Sequence, residues 1–307
     1  MKLLKKYPLQ LLLASSLTAL AACGGSSGSG GESTGSFSLA VTDAAIDSAS
    51  HVFVEFSGVS IKPADGEAIE FTFDEAKSID LLALQGSASE GLVNGEEVPA
   101  GDYEWIRLHV NAENDGVLDS YLELDTGNQL ELRVPSGSQT GLKLVSGFTV
   151  TANGTADFTI DFDLRKSVIL PPSDAIGGAM LKPTLRLIDN TAAGSIAGNV
   201  DLEVITEQCA SDTGEQFGAV YVYSGADATV SDVSGGDGDP ITTALVSESG
   251  GEYSYEAGFL DEGDYTVAYT CGAMDDDPEA EDSLTFVGES NATVEADAET
   301  EVNFTLQ

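Results

Sequence analysis

Two acidic segments near the carboxyl end carry the side chains best suited to bind a metal ion. The first is the glycine-rich stretch DVSGGDGDP, and the second follows Cys271 and continues through Glu279, Glu281 and Asp282. Calcium takes about six to eight oxygen ligands, and glycines between acids permit the tight backbone that such convergence needs. Neither segment has the EF-hand spacing, and consecutive acids also occur in solvated loops. Calcium and plain solvation therefore both remain open for Asp232, Asp237, Asp239, Asp275, Asp276 and Asp277.

A second group of chemically capable residues alternates along one predicted strand: Tyr103, Trp105, Arg107 and His109. Because side chains in a strand alternate between faces, we expect these four on one face, opposite Ile106, Leu108 and Val110. An aromatic ring beside a guanidinium is suited to a sugar ring or a carboxylated glycan. The structural alternative is that Tyr103 braces a turn and Trp105 completes a core or covers a sheet edge.

Catalytic motifs are missing from the sequence. It has no G-x-S-x-G elbow, no P-loop and no H-E-x-x-H, and its two histidines have no recognisable nucleophile as partner. A carboxylate pair means little among 52 acids. We therefore predict a chain that is not an enzyme and needs no cofactor, calcium being the one exception left open.

The charge balance is strongly acidic, with 52 acids against 12 Lys and Arg and a formal net charge of −40. Such a polyanion will not bind nucleic acid through electrostatics. After Arg186 there is no Lys, Arg or His, so the second half cannot form an ion pair within itself. This acidity has three interpretations: a solvated, salt-adapted surface, divalent-cation binding, and attraction of a basic partner.

The chain begins like an exported protein. Lys2, Lys5 and Lys6 precede an apolar run from Leu9 to Ala22 that is too short for a stable membrane-spanning helix. The Leu-Ala-Ala-Cys sequence ending at Cys23 resembles a bacterial lipobox, which implies a signal peptide at 1–22, cleavage before Cys23 and lipid on its sulfur. The bilayer is then a partner through several acyl chains. The alternative is an ordinary secretory signal with a nearby cysteine.

A Gly/Ser-rich tether follows the lipobox over 23–35. Gly24 after the lipid-bearing cysteine resembles the pattern that is sorted to the outer membrane in Gram-negative enteric bacteria. We therefore expect a lipoprotein of the outer membrane at the cell envelope, on either leaflet. With Cys23 lipidated, Cys209 and Cys271 remain as a pair in an oxidising compartment, which predicts a disulfide, the alternative being two buried free thiols.

Hydrophobic periodicity after the tether is that of strands. Phe37, Leu39 and Val41 alternate with small polar residues, and Phe158, Ile160 and Phe162 alternate with polar or acidic ones. Period two, interrupted by turn residues, predicts antiparallel sheets and an all-β fold of two β-sandwich domains, Ig-like or prealbumin-like, in tandem. Only the stretch 74–92 leaves room for a short helix or for a strand and loop.

Six segments in order then carry a family resemblance over about residues 36–190. Together they resemble a widespread family of bacterial lipoprotein domains of unknown function, which implies a β-sandwich without an established activity or catalytic residue. Ala45 departs from the proline usual in that family. The matching segments are AVTDA from Ala40, IDLLAL from Ile79, VPAGDY from Val98 with IRL from Ile106, VPSGSQTGLKL from Val134, DFD from Asp161, and LKP from Leu181.

Residues 194–307 resemble the regulatory-like β-sandwich found beside carboxypeptidases, related to transthyretin-like folds. The carrying motifs are GSIAGNV from Gly194, AVYVY from Ala219 and FLDEGDYTV from Phe259, with Asp261 and Glu262 where proline is frequent in that family. Both segments contain a Gly-Asp-Tyr step, at Tyr103 and Tyr265, which predicts a tyrosine corner in each. The sequence thus predicts a binding or scaffolding module, or alternatively a calcium-dependent adhesin or glycan-binding surface protein, with a glycan or an envelope protein as partner.

Overall fold

The computed structural model describes residues 33–44, 49–135, 141–170, 178–182, 184–209 and 217–306. Most of these residues are in β-strands and few are in helices, so the predicted all-β class is confirmed. Three features lie outside the described residues: the signal peptide at 1–22, the lipidation site Cys23 and most of the tether. None of the described helices is long and apolar enough to span a membrane.

Among the described residues, thirteen strands build the first segment, joined by short turns and one brief helix, α1 (Leu164–Ser167). The strands are β1 (Thr34–Ala44), β2 (His51–Pro63), β3 (Ile69–Asp80), β4 (Glu90–Pro99), β5 (Gly101–Val110), β6 (Tyr121–Glu123), β7 (Gln129–Arg133), β8 (Leu142–Leu144), β9 (Phe148–Val150), β10 (Thr155–Asp163), β11 (Val168–Ile169), β12 (Ala179–Leu181) and β13 (Leu185–Asp189).

These strands form a four-stranded sheet of order β13-β10-β1-β4 and a nine-stranded sheet that contains β2 and β5 at its centre. The alternating apolar residues of β1 and β2 face each other in one core, which includes Phe37, Leu39, Phe56 and Phe162. Most neighbours are antiparallel, but β1 pairs with β10 in parallel. A parallel pair requires a crossover connection, and here most of the first segment separates the two strands.

The stretch 74–92 forms no long helix. Strand β3 runs on to Asp80, a single 3₁₀ turn covers Leu81–Ala83, and β4 begins at Glu90. Leu81 is fully buried in the core, so the leucines of this stretch serve packing from a turn. The strand-and-loop alternative is therefore the one found.

In the part of the second segment that the structure describes, there are eight strands and one short helix, α2 (Leu202–Gln208). They are β14 (Ala193–Asn199), β15 (Ala219–Ser224), β16 (Thr242–Leu245), β17 (Ser247–Ser249), β18 (Glu252–Asp261), β19 (Gly263–Thr270), β20 (Val287–Val294) and β21 (Glu299–Glu301). They form two four-stranded sheets, of orders β17-β18-β14-β21 and β16-β15-β19-β20, around a core with Ile196, Val220, Val222 and Leu260.

Strand β15 is buried on both faces. Val220 and Val222 point into the core between the sheets, whereas Tyr221 and Tyr223 lie in a second cluster with Val233 and Ala273. The unbroken apolar run AVYVY is typical of a strand covered on both sides. The loops before β16 and after β19 provide that outer cover, and both are acidic.

Both predicted tyrosine corners are present. The Tyr103 hydroxyl donates to the carbonyl oxygen of Pro99 at 2.8 Å, and the Tyr265 hydroxyl donates to that of Asp261 at 2.7 Å. Each tyrosine reaches back four residues across the turn that precedes its strand, and both are buried. The two segments thus share a device that fixes the entry into a central strand.

The two segments lie within one compact unit, Ser33–Gln307. Bases of the first segment reach the acidic second segment: Arg165 donates to the carbonyl oxygen of Ala273 at 2.7 Å, and Lys166 to that of Pro240 at 2.7 Å. The second segment thus obtains cations it does not itself encode. The exact domain boundaries, 36–190 and 194–307, stay predictions.

Candidate functional site

Carboxylates from both acidic loops converge over the outer face of β15. One ligand oxygen each of Asp232, Asp276 and Asp282 lies within 4.8 Å of the others. Asp232 and Asp276 are buried, each 7% exposed, and Asp282 is half-buried. Two segments that are separate in sequence therefore form one cluster, because both cover Tyr221 and Tyr223.

Partners within the chain hold this cluster together. Asp276 accepts hydrogen bonds from the Tyr221 hydroxyl and from the Val233 amide, the latter at 3.2 Å. Its Oδ2 also lies 4.0 Å from Nη1 of Arg165. Asp232 accepts from the amide of Asp282. These contacts account for the convergence of the three carboxylates without an ion.

Burial raises the pKa of Asp276, and the nearby Asp232 adds to that effect, while the Tyr221 hydrogen bond and Arg165 oppose it. The donors already bound to Asp276, the Tyr221 hydroxyl and the Val233 amide, compete with a metal ion for its oxygens. Three carboxylates also supply about half of the oxygens that calcium takes. The cluster is thus a candidate metal centre. Its own hydrogen bonds explain the arrangement of the three carboxylates as well as a bound ion would.

The other predicted metal ligands do not join the cluster. Asp237, Asp275 and Asp277 are exposed, and the Asp277 amide donates to Asp282 at 2.7 Å. Asp239 accepts from the amides of three residues in its own turn, at distances of 2.9 to 3.2 Å: Ser234, Gly235 and Gly236. Asp239 therefore closes the glycine-rich turn, whereas Asp282 lies in the cluster.

The predicted stripe on β5 is divided between two faces. Trp105 pairs with Lys62 of β2, but Tyr103 pairs with Pro63, so Glu104 is an extra residue in the ladder. Such a bulge reverses the alternation, because two residues oppose one. Tyr103 is consequently buried with Ile106 and does not share the face of the other three, and this correction removes it from the candidate ligand surface.

Trp105, Arg107 and His109 remain together on the outward face, all half-buried. The guanidinium carbon of Arg107 lies 4.8 Å from the centroid of the Trp105 ring, and Nζ of Lys143 lies 4.7 Å from it. Arg107 and Lys143 are directly opposite each other on β5 and β8. We name Trp105, Arg107, His109 and Lys143 the basic face.

No carboxylate of the described residues forms an ion pair with Arg107 or Lys143. The Nε of Arg107 is buried without a hydrogen-bond partner. His109 lies 2.6 Å from the Ser60 hydroxyl, and burial lowers its pKa, with the positive charge of Arg107 as the next cause. Within the described part of the chain, the basic face is therefore a local concentration of positive charge in which neither Arg107 nor Lys143 is paired with a carboxylate, while the negative charge of Glu70 acts on the nearby His109.

The predicted disulfide is present between Cys209 and Cys271, whose Cα atoms are 5.4 Å apart. It joins the end of α2 to the end of β19, across 62 residues of sequence. The Tyr269 hydroxyl lies 3.1 Å and 3.2 Å from the two sulfur atoms. The pairing of these cysteines is therefore confirmed.

Sequence reasoning missed two residues of interest. Lys143 joins Trp105 through the pairing of β8 with β5, which no local pattern indicates. Asp43 entered only as part of a family motif, yet the structure encloses its side chain. A charged residue in an otherwise apolar alternation, following Phe37, Leu39 and Val41, was the available signal.

Comparison with known families gives a match at residues 34–183, to a family described as Domain of unknown function (DUF4382). The expected resemblance to a domain of unknown function is thereby confirmed for this part of the chain. Its lipoprotein character and the resemblance of 194–307 to a carboxypeptidase regulatory-like domain stay predictions. No curated protein matches the chain.

Three solved structures resemble the chain weakly. The TIE protein of Bacillus anthracis is 10% identical, over 90% of this chain and 34% of that protein, with a TM-score of 0.21. A leucine-rich repeat protein from Bacteroides thetaiotaomicron is 13% identical, over 90% and 26%, with a TM-score of 0.22. GBS52, the minor pilin of Streptococcus agalactiae, is 10% identical, over 87% and 94%, with a TM-score of 0.21. The chain spans about a third or less of the first two, and similarity this low supports no inference about function.

Proposed function

We propose that this chain is a non-catalytic binding module of the bacterial cell envelope, tethered to the outer membrane through lipid on Cys23, which holds a carboxylated glycan at the basic face. The observation that carries the binding role is the pair of cations at the Trp105 ring, Arg107 at 4.8 Å and Lys143 at 4.7 Å, in a chain of net charge −40.

Two other bases of the described chain pair with carboxylates. Lys166 lies 3.2 Å from Asp163, and Arg186 lies 2.6 Å from Asp161. Arg107 and Lys143 instead meet an aromatic ring, and a guanidinium offers paired donors that match a carboxylate. An indole beside them adds apolar surface for the C–H face of a sugar. A uronate unit combines a carboxylate and a sugar ring in one residue.

Binding is testable through fluorescence, because Trp105 is the only tryptophan of the chain. The full-length protein is titrated with uronate oligomers and, separately, with neutral maltooligosaccharides. We expect the uronates alone to change the emission. Arg107→Ala and Lys143→Ala should each weaken uronate binding roughly tenfold, since a charge-assisted hydrogen bond contributes about 1.5 kcal/mol or more.

Lys77→Ala is the matched control, because Nζ of Lys77 also lies over a ring, that of Phe73, at 5.1 Å. It removes the same charge and the same kind of contact elsewhere on the sheet. Uronates that leave the emission unchanged, or a Lys77→Ala variant that binds as weakly as Arg107→Ala, would contradict the glycan role.

The tether has its own test in the native host. Cells grown with labelled palmitate should incorporate the label into the wild-type protein and not into Cys23→Ser. Incorporation into both proteins would contradict anchoring through Cys23.

A further inference from the structure

Asp43 is a carboxylate enclosed in the protein without a partner. It stands near the end of β1, continues the buried row of Phe37, Leu39 and Val41, and is 5% exposed. Neither Oδ1 nor Oδ2 accepts a hydrogen bond. Burying an ionised carboxylate without compensation costs several kcal/mol, so an unsatisfied group of this kind requires an explanation.

The surroundings of Asp43 increase this cost. Burial raises its pKa well above the ordinary value, and the charges of Asp161, Asp163 and Asp80 raise it further. The amide of Leu164 alone opposes them, without reaching hydrogen-bond geometry. The bases beside two of these acids are engaged with them, Lys166 with Asp163 and Arg186 with Asp161. The described chain therefore supplies no cation for Asp43.

A cavity of about 480 Å³ lies beside Asp43, between the two segments. Strands β14, β16, β18 and β21 provide its other walls, so it belongs to neither core alone. Its lining is rich in oxygen atoms of the kind that bind hard cations, from Gln85, Asn199, Thr243, Glu256, Glu299 and Glu301.

Asp43 differs from a buried carboxylate of the Asp232, Asp276 and Asp282 cluster in its hydrogen-bond donors. There, the buried Asp276 has Tyr221 and Val233 as donors, whereas Asp43 has none. We propose that the cavity beside Asp43 binds a divalent cation of the calcium class, with Asp43 as its anchoring ligand and Glu256 as a ligand from β18. Calcium accepts many oxygen ligands in irregular arrangements, whereas magnesium demands near-ideal octahedral geometry.

A cation in this cavity links the two segments. Asp43 belongs to β1 of the first segment, and Glu256 belongs to β18 of the second, where it also accepts a hydrogen bond from Ser87. Ion binding therefore stabilises the contact between the segments as well as the local carboxylates. Its effect should be visible in the unfolding of the whole protein.

The test is thermal unfolding of the full-length protein at neutral pH and constant ionic strength, with calcium, magnesium or chelator. Calcium should raise the melting temperature of the wild type more than magnesium does. Asp43→Asn, which removes the charge and keeps the shape, should melt higher than the wild type in chelator and gain nothing from calcium. Glu256→Gln should weaken calcium binding roughly tenfold, as judged by calorimetric titration.

Asp232→Asn is the control at the carboxylate cluster, and it should keep the calcium response. The proposal is overturned if the wild type shows no calcium response, or if the response survives in Asp43→Asn. A response lost in Asp232→Asn alone would place the ion at the cluster and also overturn it. Should Asp43→Asn fail to fold, unchanged calcium affinity in Glu256→Gln decides against the site.

Discussion

Arg165 donates from Nη1 to the carbonyl oxygen of Ala273 at 2.7 Å, across 108 residues of sequence. The same nitrogen lies 4.0 Å from Oδ2 of Asp276, and both side chains are buried. A base of the first segment thus lies beneath an acidic loop whose own segment contains no base.

Replacement of Arg165 with leucine should lower the free energy of unfolding by about 3 kcal/mol, because Asp276 then keeps a buried charge without its cation. Urea-induced unfolding measures the change. Lys182→Met, which also removes a positive charge but from an exposed side chain, should alter stability by no more than about 0.5 kcal/mol. Equal effects of the two substitutions would show that Arg165 acts through net charge alone.

The tyrosine corners predict that removing either hydroxyl lowers the stability of the protein by a similar amount. Tyr103→Phe and Tyr265→Phe each remove a hydroxyl donor from a turn carbonyl oxygen, so each should destabilise the protein by about 1 to 2 kcal/mol. Tyr121→Phe is the control, because the Tyr121 hydroxyl makes no hydrogen bond among the described residues. A control as unstable as the corner variants would exclude the turn hydrogen bond as the cause.

The two histidines should titrate on opposite sides of the ordinary histidine value. A 2.6 Å hydrogen bond to Asp80 raises the pKa of His51, whereas burial and Arg107 lower that of His109. The contribution of His51 to stability is present at low pH and is lost as the pH rises through its folded pKa. That of His109 is present at high pH and is lost as the pH falls through its folded pKa.

NMR titration of the two imidazole rings measures both pKa values directly. Asp80→Asn should return the pKa of His51 towards its ordinary value and leave His109 unchanged. If both rings shift in this variant, or if neither does, the assignment of the His51 shift to Asp80 is wrong.

The disulfide predicts that the protein becomes less stable when the bridge is reduced. A bridge across 62 residues contributes roughly 4 kcal/mol in the chain-entropy description. The double variant Cys209→Ser, Cys271→Ser should therefore melt lower than the oxidised wild type and should not respond to reductant. A variant that melts like the oxidised wild type would show that the bridge does not contribute to stability.

Local patterns predicted much of the fold correctly. Alternation identified β1 and β10, and the Gly-Asp-Tyr steps identified the corners at Tyr103 and Tyr265. These features depend on a few consecutive residues. The same alternation failed for the face of Tyr103, because the bulge at Glu104 depends on the pairing of β5 with β2.

The candidate sites divide in the same way. The sequence identified Asp232 and Asp276 as metal candidates, but it did not show that both loops cover Tyr221 and Tyr223 and therefore meet. It identified Trp105 and Arg107 but not Lys143, which arrives through β8.

By itself, the sequence determined the all-β class, the cysteine pair and the acidic character of the second segment, because composition, period and turn chemistry are local properties. Only the tertiary structure decided which charges meet. It placed Arg165 and Lys166 against the second segment, joined Asp276 to Asp232, and left Asp43 without a partner. Burial and electrostatic compensation depend on distances between residues far apart in the chain, and those distances exist only once the sheets have packed.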